Sequence, residues 1–243
     1  MDARSASVFL MDKREEEIAE MINYLSQKSK GFTKPKLIVI GGYALRAFVP
    51  FSRYSRDCDF VLKEGLDNIN KWPPSGVSIE TIEKKEGHAY MRCIKILQSG
   101  NKKAKLGLDF MEGQVRGREN DIFTIDDKFL ENSTKAKIKV GGLQLQIFVP
   151  SYTDFFLLKV MSARRSDTRD IAALVWKNGV PKDIKKRLVV LNDPAIFARN
   201  LEQKIIPDIK NKLFLNSWKG TFITSEFTEQ DQKRVVKELE ALI

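Results

Sequence analysis

The chain has 243 residues, 42% hydrophobic and 30% charged, with a formal net charge of +10. That length sustains the core of one large or two modest domains, and the composition excludes a disordered, collagen-like or disulfide-scaffolded protein. Only Cys58 and Cys93 are present, and no apolar run approaches the roughly 18 residues of a membrane span, so a reducing, cytoplasmic setting without membrane insertion is expected.

Ile18, Met21, Ile22 and Leu25 recur at helical spacing behind a run of glutamates, which predicts an amphipathic helix over 12–29. "KLIVIGG" reads as a short buried strand stopped by glycine, "YALRAFV" as a helix leaving it, and "DCDFVL" as a second strand. After Pro73 and Pro74, the alternation in "VSIETIEKKEGHAYMRCIKIL" predicts a hairpin and "KLGLDFMEG" a further strand. "TKAKIKVGGLQLQIFVP" predicts a second hairpin turning at Gly141 and Gly142. The pattern changes at Pro150: Ser151 with Asp154 three positions on is a helix-start signature, and the chain beyond it reads as helical. The expected architecture is α+β, with a mixed sheet and flanking helices over 1–150 followed by a helical domain over 151–243.

In an extended strand, residues i and i+2 share a face and lie roughly 6–7 Å apart. Asp57 and Asp59 therefore point one way while Cys58 and Phe60 point into the core. Two carboxylates so close repel one another unless a cation lies between them, and Mg2+ (or Mn2+), a hard ion that also binds substrate phosphate, suits them. In "KLGLDFMEG", Leu106, Leu108 and Phe110 alternate onto one face and leave Asp109 on the other with Gly107 and Met111. If this strand lies beside the first, three carboxylates share one sheet face, an arrangement suited to phosphoryl transfer in which one of them helps deprotonate the attacking hydroxyl. Gly41 and Gly42 would let the backbone approach phosphate closely.

"GGYALRAFVPFSRYSRDCDF", with a later strand aspartate, resembles the signature of the DNA polymerase β nucleotidyltransferase superfamily. Within it the chain is most similar to the AbiEii toxin-type nucleotidyltransferases. The resemblance covers about residues 36–175. It implies metal ligands at Asp57, Asp59 and Asp109, which are also the catalytic residues, and nucleotide contacts among Gly41, Gly42, Arg53, Arg56, Lys159, Arg165 and Asp170. It further implies an NTP substrate, RNA (the 3′ end of tRNA) as acceptor and an antitoxin protein as partner.

Independently of the resemblance, Lys159 lies in a segment that is apolar nearly all round, so its ammonium needs an anionic partner or a route to water. Arg164, Arg165 and Arg169 are suited to gripping phosphate, whereas Asp170 reads equally as a helix-start acid. Ser55 either bonds a phosphate or shapes the turn. Asp121, Asp126 and Asp127 compete with Asp109 for the third acidic position. Arg92, Lys95, Lys102, Lys103 and Lys105 form a basic run with no acid among them, suited to a polyanion such as RNA. His88, the only histidine, sits beside Gly87 in a hairpin turn, without the spacing of a zinc ligand. The alternatives to an RNA-directed enzyme are a protein or small-molecule acceptor, a catalytically silent nucleotide- or RNA-binding module, and a nuclease.

Overall fold

The computed structural model describes residues 3–51, 53–117 and 122–243. Elements follow in the order α1 (Ala3–Lys28), β1 (Ile38–Ile40), α2 (Gly41–Leu45), β2 (Asp57–Leu62), α3 (Leu66–Ile69), β3 (Ser78–Lys85), β4 (His88–Ser99), β5 (Lys102–Glu112), β6 (Gln114–Arg116) and β7 (Ile122–Thr124). They continue through α4 (Asp127–Asn132), β8 (Thr134–Val140), β9 (Leu143–Val149), α5 (Tyr152–Ser162), α6 (Arg165–Asn178), α7 (Ile184–Arg187), α8 (Ala195–Asn200), α9 (Ile206–Lys210), α10 (Phe214–Phe222) and α11 (Glu229–Glu240). Two compact units result. The first comprises Met1–Ala47, Tyr54–Val115 and Ile125–Pro150; the second comprises Phe48–Arg53, Arg116–Thr124 and Ser151–Ile243.

The first unit is built on a five-stranded sheet of order β1-β2-β5-β4-β3, in which only β2 and β5 run parallel. Strand alternation explains its two faces. Cys58 and Phe60 of β2, Leu106, Leu108 and Phe110 of β5, and Met91 and Cys93 of β4 are all buried. Phe60 stacks between Phe32 and Phe110, with ring centroids 6.3 and 5.1 Å away. Helix α1 packs against β4 and β5 and buries Ile18, Ile22 and Leu25. Its Leu25 lines a small cavity with Cys93, Leu108 and Phe110, which marks this as the core face. The other face carries Asp57, Asp59, Gly107, Asp109, Tyr90 and Arg92.

Strands β8 and β9 form the second predicted hairpin, with Val140 opposite Leu143. Gly141 and Gly142 both have positive φ, +52° and +81°, as a tight two-residue turn requires. His88 opens β4 directly after the Glu86-Gly87 turn, as the sequence predicts.

The second unit is helical. Ser151 caps α5: its hydroxyl accepts from the Asp154 amide at 3.1 Å and donates to the Asp154 carboxylate at 2.8 Å. Its aromatic cluster joins Phe51, Trp176, Trp218, Phe222 and Phe227 through T-shaped and tilted contacts of 4.5–5.7 Å. Trp218 is fully buried, and its indole N–H donates to the Arg169 carbonyl at 3.0 Å, so it is a packing anchor. Among the described residues no helix is long and apolar enough to cross a membrane. The whole is the mixed α+β arrangement, with flanking and C-terminal helices, that the sequence pattern predicts.

Candidate active site

Parallel pairing of β2 with β5 places Asp57 opposite Gly107 and Asp59 opposite Asp109. Side chains paired in register share a face, so the three acids lie on the face turned away from α1. Their surroundings differ. The Asp57 side chain is 37% exposed and that of Asp109 only 9%. Burial pushes the Asp109 carboxyl above its ordinary value; the nearby carboxylates of Asp57 and Glu80 push the same way, against the Tyr90 hydroxyl and the Arg92 guanidinium. Tyr90 donates to Asp109 Oδ1 at 2.8 Å, and its own phenol is pushed up to about 12 by burial and by that bond.

Gly41 answers to Asp59. Its φ is +69°, and a Cβ added there would lie 2.1 Å from Asp59 Oδ2, so only glycine leaves room for this carboxylate. The sequence reading gave the glycine pair to a phosphate and began the helix after it. In the structure the helix starts on Gly41 itself, and the observed need for a missing side chain comes from the protein's own acid. Gly42 is buried in the same five-residue helix. That helix is anchored by Glu15 of α1, whose carboxylate accepts from the Tyr43 hydroxyl at 2.9 Å and from the Arg46 guanidinium at 2.8 and 2.9 Å.

Arg92, on β4 opposite Asp109, was in the sequence only a member of a basic run. Its guanidinium donates through Nη2 to Asp57 Oδ1 at 3.0 Å and through Nη1 to Asp109 Oδ2 at 3.0 Å, while its Nε lies 3.3 Å from Glu80 Oε2. Gly107 makes room for it: a Cβ there would lie 2.4 Å from Asp57 Oδ1 and 3.1 Å from Arg92 Nη2. The signal for Tyr90 and Arg92 was present as alternation, since both must share one face of β4, but which face depends on strand order.

Among the described residues, no group of three or more His, Cys, Asp or Glu side chains is arranged so that it could hold a metal ion. The chemistry of the acidic face nevertheless fits a divalent cation: its donors are all carboxylate oxygens, and a positive charge, the guanidinium of Arg92, already bridges two of the three acids.

The remaining predicted residues divide between the units. In the first, Ser55 donates to the Asp57 carbonyl at 3.0 Å and so shapes the approach to β2, while Arg56 is exposed. Of the rival acids, Asp126 caps α4 by accepting from the Phe129 amide at 2.7 Å, and Asp127 is exposed and pairs with Lys63. Asp121 lies outside the described residues. In the second unit, Lys159 is buried and donates to Asp167 Oδ1 at 2.8 Å and to Asp170 Oδ2 at 2.7 Å. Arg53 grips Asp170 bidentately at 2.7 and 2.8 Å, and Arg164 holds Asp167 at 2.8 Å. The anionic partner that the apolar helix demanded for Lys159 is thus supplied by α6. Asp170 is not a helix-start acid: that role belongs to Asp167, whose carboxylate accepts from the Arg164 backbone N–H at 3.3 Å and from its Nε at 2.8 Å at the start of α6, and Asp170 lies one turn further on. Asp167 was not singled out in the sequence, and Arg164 before it is not the Ser or Thr that opens a capping-box signature. Arg165 is exposed.

Burial raises the Cys58 thiol well above its ordinary value and pushes Cys93 up to about 11, so neither suits a nucleophile.

No protein-family model matches the chain, and no curated protein matches it. Among solved structures it is similar to a Helicobacter pylori protein described as a candidate nucleotidyltransferase, at 15% identity and a TM-score of 0.46, covering 94% of this chain and 98% of that one. It is also similar to JHP933 from Helicobacter pylori, at 14% identity and a TM-score of 0.44, covering 93% and 95%. The five-stranded mixed sheet with flanking helices fits the nucleotidyltransferase-type fold that the Gly-Gly and Asp-x-Asp resemblance implies.

Proposed function

We propose that the chain is a divalent-metal-dependent nucleotidyltransferase that moves a nucleoside monophosphate from an NTP to an acceptor hydroxyl and releases pyrophosphate. The observation that carries this reading is the register: Asp57, Asp59 and Asp109 fall on one face of adjacent parallel strands, beside a glycine that clears space for Asp59. Asp57, Asp59 and Asp109 would hold the metal, Mg2+ or Mn2+, which when bound supplies charge neutralisation of the triphosphate. Asp109 is suited to accept the proton of the attacking hydroxyl, because burial raises its affinity for a proton while Tyr90 fixes its orientation.

RNA is the acceptor class that best matches the surface. Lys102 and Lys103 are exposed at the start of β5, on a chain of net charge +10. The AbiEii-type resemblance narrows this to the 3′ end of tRNA and adds a toxin role with an antitoxin partner. Incubation with each labelled NTP, Mg2+ and total RNA tests the reading: label transferred to RNA with pyrophosphate released is expected. Asp59→Asn should lower transfer by about a thousandfold or more, with an unchanged circular dichroism spectrum. NTP binding without transfer by the native chain would favour the silent binding module, and cut RNA without pyrophosphate a nuclease.

A further inference from the structure

We propose that Arg92 is a tethered cation that neutralises the acidic face while no divalent ion is bound and competes with that ion for Asp57 and Asp109. The inference rests on the metal-site reading above but concerns a residue that reading does not use. Three observations carry it. The first is that the guanidinium bridges, with separate nitrogens, two acids placed on different strands by the sheet. Five donors in a planar fork suit this bridging in a way that a point charge does not.

The second is Gly107. Glycine in a strand interior costs backbone entropy and contributes no packing, and it marks close approach of another group. Here the groups that approach are Asp57 Oδ1 and Arg92 Nη2, both of which a Cβ would displace. The third is Glu80, whose Oε2 lies 3.3 Å from Arg92 Nε on the neighbouring strand. Arg92 therefore keeps an anionic neighbour when it releases the two aspartates. Its side chain is 27% exposed, so this exchange does not require a charge to be stranded in the core.

Competition by a tethered group lowers apparent affinity by the fraction of molecules in which the acids are free. Arg92→Gln should therefore bind Mn2+ about three- to thirtyfold more tightly than the native chain, read by the decline of free Mn2+ in electron paramagnetic resonance titrations. Lys105→Gln removes the same charge from the other side of Glu80, which Lys105 pairs with, and serves as the control for general electrostatics. It should leave the Mn2+ affinity within about twofold of native, since exposed charges act weakly at a distance. Equal tightening by Arg92→Gln and Lys105→Gln overturns the proposal. If Arg92→Gln does not fold, the native chain still decides: the Arg92 Nε–H resonance, assigned by its loss in Arg92→Lys, should move as Mg2+ is added. A resonance unmoved at metal saturation overturns the proposal.

The two readings fail in distinguishable ways. Native Mn2+ binding that Asp59→Asn weakens, with no gain in Arg92→Gln, removes the role of Arg92 and leaves the metal site standing. Absence of Mn2+ binding in native and Arg92→Gln proteins alike removes both.

Discussion

Each unit holds a cluster in which basic side chains meet two aspartates, and the two clusters behave differently because water reaches the acids of only one of them. On the sheet of the first unit, Arg92 is 27% exposed and faces Asp57, Asp109 and Glu80, whose side chains are 37%, 9% and 35% exposed. In the second, Lys159 is 4% exposed and its partners Asp167 and Asp170 are fully buried. Ions near water exchange partners at small cost, whereas buried ions are bound to the partners they folded with. The lesson is that a lysine in an apolar helix is not by that fact a substrate ligand: Lys159 is satisfied within its own unit, while the acids suited to chemistry lie where a cation can enter.

The largest effect expected is on the buried cluster. Lys159→Met leaves two aspartates in the interior with only Arg53 and Arg164 to balance them, and should cost about 3–5 kcal/mol in urea unfolding. A loss under about 1 kcal/mol would break the contrast between the clusters.

Gly41→Ala should cost about 1–3 kcal/mol, through positive φ and displacement of Asp59, and should abolish transfer as fully as Asp59→Asn does. Retained transfer would dissociate Gly41 from the site.

Acidity sharpens the comparison, because the two clusters respond with opposite sign. Asp167 is held below the ordinary carboxylate range: burial opposes this, but the Lys159 and Arg164 charges outweigh it. The stability it contributes is fully present above the ordinary carboxylate value near 3.9 and is lost as pH falls through its depressed native value. Asp109 is raised, chiefly by burial, so its contribution is fully present below the ordinary value and is lost as pH rises through its native value. Unfolding midpoints of the native chain, Asp167→Asn and Asp109→Asn between pH 2 and 7 should diverge in opposite directions.

The smallest effect belongs to the exposed pair of Lys84 and Asp67: Lys84→Gln should leave the unfolding midpoint unmoved.

Much of the fold was legible in advance. Strand alternation in "DCDFVL" and "KLGLDFMEG", the double-glycine turn at 141–142 and the Ser151 helix start are short-range patterns, and each has its counterpart in the structure. Less of the site was legible. Arg92 looked like one cation among five and Gly107 like a neutral neighbour of Asp109, because the groups they meet, above all Asp57, are distant in sequence; Asp167 pairs with Arg164 three residues away, but nothing in the sequence set that acid apart from its neighbours.

By itself, the sequence determined that Asp57 and Asp59 share a face, that Asp109 opposes Leu108 and Phe110, and that Lys159 needs an anion. These follow from the two-residue repeat of a strand and from the cost of a bare charge in an apolar helix. Only the tertiary structure decided that β5 lies parallel beside β2, that Arg92 bridges Asp57 and Asp109, and that Asp167 and Asp170 satisfy Lys159. Ion pairing depends on distance in space, and strand order, register and helix packing, not spacing along the chain, set that distance.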